Sequence, residues 1–155
     1  MIFLETLLYI VKNGKVLLIR KKRGLGAGYF NGVGGKVENN EDAYNAAIRE
    51  CIEEIGVRPV GLRWMGLLEF WNYDNGGVES IHFVHVFTAS DYDGEPRESD
   101  EAEPLWFNIN EIPFNSMWED DSLWLPLILS GRRVYGRFIF NKWKMMNHEV
   151  HSICI

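Results

Sequence analysis

The sequence predicts a single α/β (α+β) domain, and three observations point there. Short β-prone runs recur between Asn-Gly and glycine-rich turns, and one segment carries helical periodicity that ends on a glycine. No repeat, low-complexity tract or second domain interrupts residues 1–155.

Thr6 to Val11 and Lys15 to Arg20 are apolar, β-prone runs joined by Asn13-Gly14, the strongest short hairpin signal. Lys21-Lys22-Arg23 and the loop Gly24-Leu25-Gly26-Ala27-Gly28 follow. That loop superficially matches a dinucleotide fingerprint. It runs on into Tyr29-Phe30-Asn31-Gly32-Val33-Gly34-Gly35, however, which is too rich in glycine for the helix the fingerprint needs. Gly34-Gly35 suits a tight turn, a bare backbone brought close to metal or phosphate, or both, with Lys36 beside it.

The second half of Gly35 to Val57 reads as a helix. Asn39 or Asn40 is the expected cap, Glu41 and Asp42 suit the positive end of the helix dipole, and Gly56 falls where a left-handed terminator is wanted. Tyr44, Ile48, Cys51, Ile52 and Ile55 form one apolar stripe, and Glu50, Glu53 and Glu54 share another face. Leu62 to Asn72 and Ser80 to Ala89 are expected strands around the turn-rich Asp74-Asn75-Gly76-Gly77, and Asp91 to Glu103 is a polar, acidic loop. Leu105 to Asn108 reads as a short strand, and Pro113 to Asp121 as a loop carrying Met117, Trp118 and Glu119-Asp120-Asp121. A short helix over Leu123 to Leu129, started by Asp121 or Ser122, tolerates Pro126 in its first turn and stops at Gly131. Val134 to Asn141 is the expected last strand, followed by an extension, Lys142 to Ile155, with no legible role.

Sixteen basic against 22 acidic residues give a formal charge of -6, which argues against long-range attraction to a nucleic-acid backbone. No window approaches a membrane span, and no basic segment followed by a long apolar run opens the chain. Cys51 and Cys154 have no metal-ligand or C-x-x-C spacing and read as reduced thiols. A cytoplasmic monomer that needs neither membrane nor nucleic acid is the expectation.

Three like charges on one helical ridge repel and raise one another's pKa unless a cation neutralises them. Oxygen ligands of that density suit Mg²⁺ or Mn²⁺, which bridge carboxylates to substrate phosphates. Arg49, four residues before Glu53, is spaced to orient it. The competing reading is a solvated acidic face.

The spacing decides between them, because the stretch matches G-x5-E-x7-R-E-U-x-E-E-x-G-U, where U is a bulky aliphatic residue. That pattern resembles the signature of the Nudix hydrolases; chance coincidence of its seven fixed positions is on the order of one in 10⁸. Cys51 stands where the family prefers Ile, Leu or Val, and packs as a small hydrophobe. The wider chain resembles the MutT-type branch acting on oxidised purine nucleoside triphosphates. Lys21 to Gly24, Gly26 to Gly28, Asn31-Gly32, Gly34 to Val37, Glu98 to Glu101, Trp106-Phe107, Ile112 to Phe114, Met117 to Ser122, Trp124 and Pro126 carry that likeness.

The resemblance implies the Nudix fold, a mixed sheet sandwiched between helices with the box as a loop-helix-loop. It implies metal ligation by Glu50, Glu53, Glu54, Glu101 and the Gly34 carbonyl, with Arg49 assisting. It also implies that Asn31, Asp120 and Asp121 read the purine edge, that Trp118 stacks on it, and that Thr6, Lys21 and Phe70 line the pocket. Core packing for Trp118 and helix capping for Asp120-Asp121 are the competing structural roles. Leu25, Tyr29 and Phe30 depart from the branch and are expected at the border of the base pocket. The implied reaction is Mg²⁺-dependent hydrolysis of an oxidised purine nucleoside triphosphate, such as 8-oxo-dGTP or 2-hydroxy-dATP, to monophosphate and pyrophosphate, sanitising the nucleotide pool. Its rivals are hydrolysis of another nucleoside diphosphate-X substrate, such as a nucleotide sugar, dinucleoside polyphosphate or RNA cap, and a nucleotide-binding module without turnover.

Overall fold

The computed structural model describes residues 1–154. Asn13 and Gly14 take positive φ angles of 54° and 74° and join β1 (Ile2–Lys12) to β2 (Lys15–Lys21), with Lys12 opposite Lys15. Two short strands follow, β3 (Phe30–Asn31) and β4 (Val33–Lys36). One edge of β1 serves two partners in turn: Ile10 to Lys12 pair with β2, while Glu5 to Leu8 pair with β4. The chain therefore splays apart along that edge, and a cleft opens between the two strands.

Helix α1 (Ala43–Ile55) is capped by Asp42, whose Oδ1 accepts the Asn45 N–H at 2.7 Å, rather than by Asn39 or Asn40. Asn40 adopts φ 65° in the turn before the helix, a left-handed geometry that a cap does not use. Gly56 terminates the helix at φ 74°, its N–H reaching the Ile52 carbonyl at 3.0 Å. The buried face is Ala46, Ala47, Cys51 and Ile55; Tyr44 and Ile52, expected inside, are 47% and 41% exposed. Alanines count little in a hydrophobic stripe, yet their small side chains are what this helix lays on the sheet.

β5 (Arg58–Asp74) and β6 (Gly77–Asp93) form a long hairpin about Asn75-Gly76, again with two positive φ angles, 51° and 82°. Both strands outrun the expected segments, which shortens the acidic loop to residues 94–101 ahead of β7 (Ala102–Asn108), the partner of β2. Helix α2 (Asp121–Leu129) starts at Asp121 without a side-chain cap, so Pro126 lies inside it rather than in its first turn. β8 (Arg133–Asn141) is not the last strand. The extension forms β9 (Lys144–Ile153), antiparallel to β8. Only Met145 and Val150 of β9 pack on the core, too few apolar positions to announce a strand.

The sheet order is β3-β2-β1-β6-β5-β8-β9, parallel at β1–β6 and β5–β8 and antiparallel elsewhere along that path. Strand alternation sends Leu8 and Ile10 to the α1 side with Cys51 and Ile55, and Tyr9 to the α2 side with Trp124, Leu125 and Ile128. The result is the expected sandwich. Among the described residues no helix is long and apolar enough to cross a membrane.

Candidate active site

A cavity of about 440 Å³ opens at the cleft beside β1. Ile19 and Lys21 of β2 and Ala102 of β7 form one wall, Gly34 and Gly35 of β4 another, and Phe70, Val84 and Phe140 contribute from β5, β6 and β8. Glu54 and Glu101 lie at one part of the lining, and Trp118, Asp120 and Asp121 belong to it as well.

Arg49 organises the helical acids. Its guanidinium donates to both oxygens of Glu41 (2.8 and 3.0 Å), to Glu50 (2.9 Å), to Glu53 (3.2 Å) and to the Lys36 carbonyl (3.0 Å). This fork clamps the helix to the loop before it and holds Glu41 below the usual carboxylate range. Glu50 packs its carboxyl against Gly35, where a Cβ would stand 2.5 Å from it. Burial pushes the Glu54 carboxyl up to about 8, and the negative charges of Glu50, Glu101 and Glu53 push the same way. Its Oε2 is buried with no hydrogen-bond partner. Glu101 is drawn down by Arg23, which grips Oε1 at 2.5 and 3.1 Å. Among the described residues no three acidic, His or Cys side chains are gathered closely enough to cage an ion as they stand. Arg49 and Arg23 hold oxygens that an ion would need.

The fit to a divalent cation is nonetheless good in donor type. Glu54 carries an orphaned buried oxygen, and Gly34 and Gly35 bring bare backbone beside it in the cavity lining. A Cβ on Gly34 would overlap the Thr6 carbonyl oxygen, so only glycine permits this approach.

At the aspartate pair, Asp120 and Asp121 are 2% and 3% exposed. Burial raises both carboxyls, Asp121 far more, because Asp120 takes a hydrogen bond from Trp124 Nε1 at 2.8 Å while the Asp120 charge repels a second one. Asp121 thus keeps the proton and donates to Asp120. Capping is not their role, since α2 has no side-chain cap. Trp118 is not a core residue either: its ring meets Tyr29 edge-on at 5.3 Å and faces the cavity, with Gly26 close against it.

Of the predicted pocket residues, Thr6, Lys21, Asn31, Gly34, Gly35, Phe70, Trp118, Asp120 and Asp121 all line this one cavity. Lys36 is absent from the lining, its ammonium standing 4.7 Å over the Phe3 ring. Glu50, Glu53 and Arg49 lie behind the lining, next to Glu54. Leu25 borders the cavity and Tyr29 braces Trp118, but Phe30 packs on Phe107 instead. Sequence reasoning missed a polar row of which Asn72, His82 and Glu5 line the cavity: Asn72 donates to Ser80 Oγ at 3.1 Å, Ser80 meets His82 Nε2 at 3.1 Å, and His82 Nδ1 meets Glu5. The alternation Ser80, His82, Val84 along one strand was its available signal.

A family model described as the NUDIX domain matches residues 5–128. An "oxidized purine nucleoside triphosphate hydrolase" of Danio rerio is 47% identical over 147 residues, covering 95% of this chain and 89% of that protein. A protein of the same description from Mus musculus is 41% identical over 137 residues, covering 88% and 86%. Among solved structures, a MutT protein from Bacillus halodurans aligns with a TM-score of 0.85 over 96% of this chain and 97% of that one; at 24% identity it speaks for the fold alone.

Proposed function

This chain belongs to the NUDIX family, and from that membership and the cavity's chemistry we propose that it hydrolyses oxidised purine nucleoside triphosphates to the monophosphate and pyrophosphate. One observation carries the reading. Among the described residues, five buried side-chain polar atoms have no partner, and three belong to residues of this cavity: Thr6 Oγ1, Glu54 Oε2 and Asp121 Oδ2. Buried polar atoms are normally satisfied, so these are the groups a bound nucleotide complex would complete.

Nudix hydrolases generally use divalent metal ions. Here Glu50, Glu53, Glu54, Glu101 and the Gly34 carbonyl would hold Mg²⁺ or Mn²⁺. Such an ion, when bound, neutralises phosphate charge and makes a water more acidic. Glu54 and Glu101 border the cavity and are the candidate acceptors for the proton of the attacking water. Arg49 orients Glu50 and Glu53 rather than touching substrate. Lys21 adds the local cation that a chain of net charge -6 needs to admit a polyphosphate. With a base bound, the Asp121 proton turns from Asp120 to the purine while ionised Asp120 accepts from it, and oxidation of a purine changes its edge in donors and acceptors. Transfer of the shared proton reverses that pattern, which accommodates more than one oxidised base.

The test is kcat/KM with Mg²⁺ for 8-oxo-dGTP, 2-hydroxy-dATP, dGTP and dATP, with the products identified. Oxidised substrates should be preferred by about tenfold or more, with pyrophosphate released. Equal rates on undamaged counterparts would argue against an oxidised-purine enzyme, and release of no pyrophosphate from any triphosphate would leave a binding module. Glu50→Gln should lower turnover by about 10² or more while leaving the circular dichroism spectrum unchanged.

A further inference from the structure

Among the described residues, three two-residue hairpins put both central residues at positive φ, the geometry in which only Gly, Asn and Asp are comfortable. Two use Asn-Gly: Asn13-Gly14 at 54° and 74°, and Asn75-Gly76 at 51° and 82°. The third, between paired Asn141 and Lys144, uses Lys142-Trp143 at 49° and 67°. A tryptophan in the left-handed region is a strained choice, and the same chain contains the unstrained solution twice.

Core burial does not account for it, since Trp143 is 49% exposed. Its ring lines the cavity and lies 6.2 Å from the Trp118 ring at 48°. At that separation the two rings are in direct contact and admit no base between them, so they make one continuous, bent aromatic wall. Two bonds fix the turn against the site. The Lys142 N–H donates to the Tyr73 carbonyl at 3.1 Å, and the Met145 N–H donates to Glu119 Oε1 at 3.4 Å, on the segment that carries Trp118 and Asp120.

We infer that Trp143 is a base-contact residue that extends the Trp118 stacking face across the purine ring, and that the β8–β9 hairpin holds it there in a strained turn. Backbone strain persists where surrounding structure over-determines it, most often at a ligand site. The inference rests on the purine-nucleotide reading of the cavity and adds a residue, and a purpose for the C-terminal strand, that the family pattern does not contain.

The experiment replaces the turn with the chain's own alternative, Lys142→Asn with Trp143→Gly, and measures melting temperature together with KM and kcat for 8-oxo-dGTP. Stability and binding should move in opposite directions. The melting temperature should rise by roughly 2–4 °C as strain is relieved. KM should rise about tenfold with kcat little changed, the scale of one base–aromatic stack. Trp143→Phe should restore most of the KM. A melting temperature that fails to rise would make Trp143 an ordinary packing residue, and an unchanged KM would remove it from the base site; either overturns the inference. Wild-type protein that turns over no purine triphosphate would take down the functional reading and this inference together, whereas an active wild type with an unaffected variant takes down this inference alone.

Discussion

Gly34 and Gly35 are neighbours in sequence but answer to different constraints, and alanine should separate them. On Gly34 a methyl group would overlap the Thr6 backbone carbonyl, which cannot retreat without breaking the β1–β4 pairing. On Gly35 the atoms it would meet first are the carboxyl end of the Glu50 side chain. Gly34→Ala should therefore cost about 3 kcal/mol or more. Gly35→Ala should melt within about 1 kcal/mol of wild type yet lose roughly 10² in kcat if Glu50 serves the proposed metal site, because a ligand carboxylate displaced by about an ångström is misplaced for chemistry. Equal loss of stability in the two variants would contradict this division.

Asp121 makes a second prediction at this scale, with its sign set by linkage. Its folded pKa lies well above the unfolded value of about 3.9. Between those values the folded chain keeps a proton that the unfolded chain has released, so this group's contribution is fully present below about pH 3.9 and is lost as pH rises. Asp121→Asn removes the penalty. The variant should melt above wild type at pH 8, converge with it near pH 4, and lose activity on oxidised purines. A gap that widened toward low pH would reverse the protonation assigned here.

At the scale of an element, α1 is packed on the sheet by Ala46, Ala47, Cys51 and Ile55 and is tied to the preceding loop by one guanidinium. Lysine keeps the charge at position 49 but cannot span Glu41, the Lys36 carbonyl and the two ridge glutamates together. Arg49→Lys should lower stability by about 1 kcal/mol and kcat by roughly tenfold, through loosened Glu50 and Glu53. Thermal melts and steady-state assays on the one variant read both. Wild-type turnover with reduced stability would confine Arg49 to the fold.

For the whole molecule, the site gathers negative charge within a chain that is already acidic, so a divalent ion bound there should stabilise the fold. At an ion concentration of about 100 times Kd the gain is about 2.7 kcal/mol, a shift of several degrees in melting temperature that a chelator reverses. Ion binding must displace the proton that Glu54 keeps up to about pH 8, so the shift should be smaller at pH 6 than at pH 8.5. A melting temperature indifferent to Mg²⁺ and Mn²⁺ at both pH values would dissociate these carboxylates from metal.

The sequence by itself determined what local chemistry dictates: the Asn-Gly turns, the helix with its Gly56 stop, the ridge of Glu50, Glu53 and Glu54, and, through the family pattern, the polar and aromatic pocket residues from Thr6 and Lys21 to Trp118, Asp120 and Asp121, but not Glu5, Asn72, His82 or Trp143 beside them. Only the tertiary structure decided which face of α1 is buried, because Ala46 and Ala47 gain their apolar role from the sheet beneath them. It alone turned the unassigned tail into β9, whose pairing with β8 is a backbone matter that few of its side chains advertise. Contacts between residues far apart in the chain, such as Glu101 with Arg23 and Trp143 with Trp118, depend on how strands align across the sheet, and no local pattern encodes that alignment.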